Sequence, residues 1–201
     1  MINILKTILL AAVVAALAIL LEQILAIGAN IFWQKEIIFE FYSRFTWFLI
    51  SAAAIEEILK YTAIYFVIRG TWNTRGKEFI FLSTLLGSGW GIFEVLLILF
   101  LRQGYYTDFF NRNPETIFFL SAIVAVHALT TYLMATLVAS AAFSGSLKHL
   151  KILFFPFLAH LLFNFLIIQK GEYANILVIM SFAVVFLAGL SVLFLNFRRL
   201  D

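Results

Sequence analysis

Cysteine is absent from all 201 residues, which excludes disulfides, thiolate nucleophiles and cysteine-ligated metals. Aspartate is almost absent, with Asp108 and Asp201 as its only occurrences. Charge of either sign is scarce. Only 12% of residues are Asp, Glu, Lys or Arg, where a soluble domain carries about a quarter, and 64% are hydrophobic. That balance predicts an integral membrane protein. The net charge of +3 comes with no block of basic residues, so nothing points to nucleic acid. No long polar linker and no internal repeat divides the chain, and residues 1–201 read as one integral membrane domain.

What the sequence does contain is apolar runs of spanning length, since about 20 residues at a 1.5 Å rise cross a ~30 Å hydrocarbon core. Six are expected, over Ile4–Ile27, Phe45–Ile68, Phe79–Leu101, Thr116–Phe143, Ile152–Ile168 and Ala174–Asn196. The fold class is therefore all-α, a polytopic bundle of about six spans. The first run starts with charge as a signal peptide does, but its small-residue stretch Ala16, Leu17, Ala18 lies inside the run, so an uncleaved span is expected. Loop charges set the orientation. Lys6, Arg69, Arg75, Lys77, Lys148, Lys151, Arg198 and Arg199 fall on one side, and Lys35, Arg44, Arg102, Arg112 and Lys170 on the other. The richer side is cytoplasmic under the positive-inside rule, which places both termini there, in a multi-pass protein of the cell membrane. Residues 30–44 and 102–114 mix aromatics with charge, as interfacial anchors do.

Against this background a few polar side chains lie well inside the expected spans: Glu56, Glu57, Lys60, Glu94, His127, His160 and Asn164. Glu22 and Gln23 fall nearer the outer end of the first. A charged group at bilayer depth costs at least about 2.5–3.5 kcal/mol on insertion scales, so such residues face a bundle interior or a water-filled cavity and serve chemistry or transport. Helix rise places Glu56 and His127 ~17 Å from the outer ends of their spans, His160 ~12 Å, Glu94 ~11 Å and Asn164 ~6 Å. Residues of four helices thus share the central and outer membrane. Spacing groups them further. Glu56 and Lys60 are i,i+4, Glu57 and Lys60 i,i+3, and His160 and Asn164 i,i+4, so each set shares a face. Gly87, Gly91 and Glu94 form a smooth stripe ending in a carboxyl, which a second helix or a peptide backbone can approach closely. Blander roles exist for each. A Glu–Lys pair within one helix can be a neutralised structural pair, a lone membrane Glu or His can be a packing hydrogen bonder, and Ser51, Ser88, Ser121, Thr130 and Thr131 are expected to bond carbonyls of their own helices. His149, among loop lysines, is given no catalytic role.

The chemistry open to these groups is narrow. No His-Glu-x-x-His occurs, so the zincin helix is absent. Both aspartates lie outside the expected spans, which rules out an intramembrane aspartyl dyad. Gly87, Ser88 and Gly89 lack the Gly-x-Ser-x-Gly spacing. Carboxylate and imidazole chemistry remains, and it suits water activation: a carboxylate out of bulk water is a stronger base, and His and Asn can shuttle protons or stabilise an oxyanion.

Glu56-Glu57-x-x-Lys60, Trp90-x-x-x-Glu94 after Gly87 and Gly89, His127, and His160-x-x-x-Asn164 together resemble the motif series of the PrsW-type glutamic intramembrane proteases, within the superfamily of CAAX-processing and bacteriocin-processing membrane proteases. The resemblance covers about residues 52–165, in the family's order, inside a motif-bearing core of about 45–168. Trp90 stands where Phe is usual and Val95 where Asn is common; neither change removes a catalytic group. CAAX-processing relatives carry His at the position matched by Glu94, which favours the PrsW branch. The resemblance implies an intramembrane endopeptidase with Glu56 as general base, Glu57 orienting the site, His127 as a further essential polar group, and His160 with Asn164 as oxyanion donors. Lys60 serves as charge partner. No cofactor is expected, with zinc on the Glu and His side chains as the lesser alternative. The implied partners are the lipid bilayer and a membrane-anchored protein substrate such as an anti-sigma factor. Two other classes compete. One is a non-catalytic scaffold like that of γ-secretase, and the other a proton-coupled transporter, whose relays also use buried Glu and His.

Overall fold

The computed structural model describes residues 2–33, 46–101, 114–140, 145 and 147–168, and these are helical with no strand among them. Five α-helices follow one another: α1 (Ile2–Trp33), α2 (Thr46–Thr62), α3 (Gly76–Leu101), α4 (Pro114–Ala139) and α5 (Lys148–Ile168). A π-helical segment, Ala63–Thr71, prolongs α2. Among the described residues three stretches are long and apolar enough to cross a membrane, Ile2–Ala29, Gly76–Leu97 and Leu120–Ala139, and on that ground the chain is a membrane protein. The expected sixth span, Ala174–Asn196, and most of the two aromatic loops lie outside the described residues.

Consecutive helices run antiparallel. The end of α1 meets the start of α2 through Leu25 and Ala26 against Phe48 and Ala52. Asn3 donates to Glu78 at 3.1 Å, and Gly89 faces Ala11, so α1 and α3 run in the same direction. α4 is the central element: its apolar window is 67% buried, against 28% for that of α1. The reason lies in small residues. A Cβ added at Gly91 would stand 2.6 Å from Val124 Cα, and one at Gly87 would overlap the His127 carbonyl and the Thr131 hydroxyl. Bare glycine therefore lets the α3 and α4 backbones touch, as in small-residue seams between membrane helices. The glycine stripe before Glu94 is filled by α4.

Hydroxyls inside the helices bond back to their own carbonyls: Ser88 to Thr84, Thr130 and Thr131 to His127, and Ser83 to Phe79. Several expected boundaries move: α1 continues to Trp33, six residues past Ile27, α3 starts at Gly76, three before Phe79, and α4 at Pro114, two before Thr116. α5 begins at Lys148, four residues before Ile152, because the basic residues ahead of the apolar run are still helical. Beyond Thr62 the chain widens into the π-helix, where Ile64 and Ile68 are fully buried and Arg69 donates to the Val138 carbonyl of α4 at 2.9 Å. Asn73, at φ 51°, turns the chain toward α3, while Thr74 closes on the Ile68 carbonyl at 2.7 Å. Below the site, the Tyr61 hydroxyl pairs with His149, tying the end of α2 to the start of α5.

Candidate active site

One turn of α2 supplies three charged side chains, and the bundle gathers the rest around them. Lys60 is completely buried, and its ammonium donates to Glu57 Oε1 at 2.7 Å and to His127 Nδ1 at 2.7 Å. Glu57, 1% exposed, also accepts from His160 Nδ1 at 2.8 Å on the same oxygen. His127 Nε2 stands 2.6 Å from Glu94 Oε2. α2, α3, α4 and α5 each contribute, and the result is one chain of hydrogen bonds: Glu94, His127, Lys60, Glu57, His160.

The bonding fixes the roles of the ring nitrogens. Since Lys60 can only donate, His127 Nδ1 is an acceptor, and a neutral ring carries its hydrogen on Nε2 toward Glu94. His160 gives its Nδ1 hydrogen to Glu57, so the neutral ring keeps a lone pair at Nε2. That lone pair faces Glu56. Glu56 Oε2 is 3.9 Å from His160 Nε2, 3.7 Å from His127 Nδ1 and 3.8 Å from Lys60 Nζ. Each separation exceeds a direct hydrogen bond, and this oxygen is buried with no hydrogen-bond partner among the described residues. Glu57 Oε2 is in the same condition. Burying an acceptor unpaired costs about 1–3 kcal/mol, an expense usual at sites that bind or react.

Packing holds the geometry. The Trp90 indole, 2% exposed, lies 4.9 Å from the Lys60 ammonium and is stacked on His127 with centroids 6.0 Å apart. The two imidazoles meet edge to face at 5.0 Å. Trp90 thus contributes a cation–π contact and an aromatic wall where the sequence showed only a departure from a motif. Glu94 is the most open member, its side chain 32% exposed.

The structure therefore brings Glu56, Glu57, Lys60, Glu94, His127 and His160 together. Asn164 follows one turn after His160 and is partly buried, but its side chain hydrogen-bonds to no other described residue. His149 stays apart, with Tyr61. A residue outside the predicted set joins the cluster: Glu22 of α1 interacts electrostatically with Glu56, Glu94 and Lys60. Its signal in the sequence was its place on the alanine stripe of α1, between Ala18 and Ala26.

Ligand atoms of Glu56, His127 and His160 lie within 4.8 Å of one another, a His₂Glu set of the kind that holds catalytic zinc. The fit is poor as the residues stand. Lys60 occupies the Nδ1 lone pair of His127 and sits 3.8 Å from Glu56, so a metal cation would meet an ammonium already in place. Comparison with protein-family models, with curated proteins and with solved structures finds no match.

Proposed function

We propose that the protein is a PrsW-type intramembrane endopeptidase of about six spans, in which Glu56 activates water to cut a peptide bond of a membrane-anchored protein. The observation that carries this reading is the facing pair of acceptors, Glu56 Oε2 and His160 Nε2, 3.9 Å apart beside a buried ammonium. Two acceptors at that distance suit one shared water, each taking one of its hydrogens. Glu56 accepts the first proton as the water oxygen bonds to the substrate carbonyl carbon. His160 holds the second hydrogen, its ring fixed through Nδ1 by Glu57, much as a carboxylate orients the histidine of a hydrolytic triad. The charge on the carbonyl oxygen falls to the Asn164 amide, with the buried Lys60 ammonium supplying positive charge behind the site. The C–N bond then breaks and the proton on Glu56 passes to the leaving nitrogen, giving a carboxyl and an amine. In this tautomer His160 serves as acceptor at Nε2, and of the two oxyanion donors implied by the resemblance Asn164 keeps that role.

The test is co-expression with a panel of tagged single-span membrane proteins, comparing wild type with Glu56→Gln. The variant keeps the shape and removes the base, so cleavage disappears while the folded protein accumulates normally. Cleavage at wild-type rate by Glu56→Gln would end the glutamic mechanism. Stoichiometric zinc in the pure active protein, with activity lost to chelators and restored by zinc, would replace it with a metalloprotease one.

The unbroken chain from Glu94 to His160 supports a second reading, since such chains also conduct protons. Proton flux into liposomes driven by a gradient, abolished by Glu57→Gln and unaccompanied by any cleavage, selects the transporter.

A further inference from the structure

Lys60 of α2 and His127 of α4 meet in the interior, and Trp90 of α3 touches both. Its indole is 2% exposed. The Lys60 ammonium stands over that ring, 4.9 Å from the centroid. The His127 imidazole lies nearly parallel to it, at an interplanar angle of 27°. His160 in turn meets His127 edge to face, at 85°. Rings from α3, α4 and α5 thus stand in a row, with the cation where the first two meet. Bare glycines make the contact possible. Gly87 and Gly91, on either side of Trp90 in sequence, let the α3 backbone close on α4 and carry the indole to His127.

We propose that Trp90 is a positioning residue: its π face holds the Lys60 ammonium toward Glu57 and His127 and away from Glu56, whose oxygen is thereby left open. An ammonium donates up to three hydrogen bonds on a flexible stem, so a lysine can turn from one carboxylate to the next. Two of the bonds of Lys60 go to Glu57 Oε1 and His127 Nδ1, both at 2.7 Å. Glu56 Oε2 is a competing acceptor only 3.8 Å away, yet it is buried with no hydrogen-bond partner among the described residues. Something must balance its pull. An aromatic face attracts the cation without taking a hydrogen bond from Glu57 or His127, and that attraction is strongest where water is excluded. Trp90 is on α3, outside the helix that carries both glutamates, so it fixes the ammonium independently of them. The same indole backs the His127 ring, whose Nδ1 accepts from Lys60. Indole is the best of the aromatic faces for a cation, and Phe at this position would offer a weaker one.

The value of an open Glu56 oxygen to hydrolysis rests on the function proposed above. The hold on the cation is tested without substrate, in the full-length protein, with tryptophan analogues bearing one, two and three fluorines inserted at position 90 alone. Fluorine draws charge from the π face and hardly alters the ring's shape, so packing is kept while the cation–π contact weakens in steps. The unfolding midpoint in detergent should fall stepwise, by about 2–4 °C over the series. It should stay level in Lys60→Met with Glu57→Gln, where no ammonium stands over the ring. It should also stay level when the analogues enter at Trp72, which packs on the core with no cation over its ring among the described residues. With Lys60 in place, its acylation by an amine reagent should quicken severalfold along the position-90 series and not along the position-72 series. Trp90→Phe should keep part of the midpoint that Trp90→Leu loses. A level midpoint or unchanged acylation across the position-90 series, or an equal fall without Lys60, overturns the proposal. A stepwise fall in a protein that cleaves nothing sinks the protease reading and leaves the positioning role standing. Cleavage by the wild type together with a level series does the reverse.

Discussion

An ammonium that is fully buried and shared between two helices is the residue on which the cluster turns. Lys60→Met leaves the Glu57 carboxylate in the interior with only a histidine partner, and breaking a buried pair in this way costs about 3–5 kcal/mol. Unfolding in detergent should register that loss. The double variant Lys60→Met with Glu57→Gln should recover most of it, because no unpaired charge remains. Lys60→Arg will not substitute, since a planar guanidinium cannot reproduce the two bonds of a compact ammonium in the same space. Asn164→Ala should be different in kind. Under the proposed reading it removes one oxyanion donor, so turnover falls about 10²–10³-fold with little change in stability. At this scale the sequence was informative about faces. Helical spacing put Glu56, Glu57 and Lys60 on one turn and His160 with Asn164 on another. It could not say what those faces meet. Lys60 binds His127 on α4 as well as its own helix neighbour, His149 finds Tyr61, and Glu22 turns toward the acids, and all three depend on how helices pack.

The helices are held together most tightly where side chains are missing. Gly87 and Gly91 let α4 lie against α3, which brings His127 within reach of Glu94. Gly91→Val must push Val124 away, an overpacking that costs about 1–3 kcal/mol or more and separates the two site residues. Gly28→Ala, with no atom of the described residues within 4 Å of the new methyl, should be neutral or slightly stabilising. Thermal denaturation of the two variants gives the comparison. The glycine stripe was legible from its spacing, but its use was open between another helix and a bound peptide. The π-helix was not legible. Tyr61 to Thr71 carries no glycine or proline before Gly70, and an apolar run reads as ordinary α-helix. Widening there follows from burying Ile64 and Ile68 while Arg69 reaches the Val138 carbonyl, a condition set by α4. Segments of this kind are common beside functional sites, and this one begins three residues after Lys60.

For the molecule as a whole, hydropathy and length were enough to expect an all-helical membrane protein, because bilayer thickness imposes the helix length directly. Orientation depends on the smaller signal of loop charge. Reporter fusions after residue 201 and within residues 102–114 should report opposite compartments, with the C-terminal one in the cytoplasm; an external C-terminal reporter would reverse the bundle. The burial of Lys60 also gives this protein a gauge of its own integrity. An amine-acylating reagent applied to the native protein in micelles should modify Lys6 and Lys151, which are exposed, and spare Lys60, which has no accessible surface and both of whose bonds would have to break first. Mass spectrometry of the labelled chain then reads Lys60 acylation as the fraction of molecules whose helices have come apart, for every variant that keeps this lysine and with no substrate in hand.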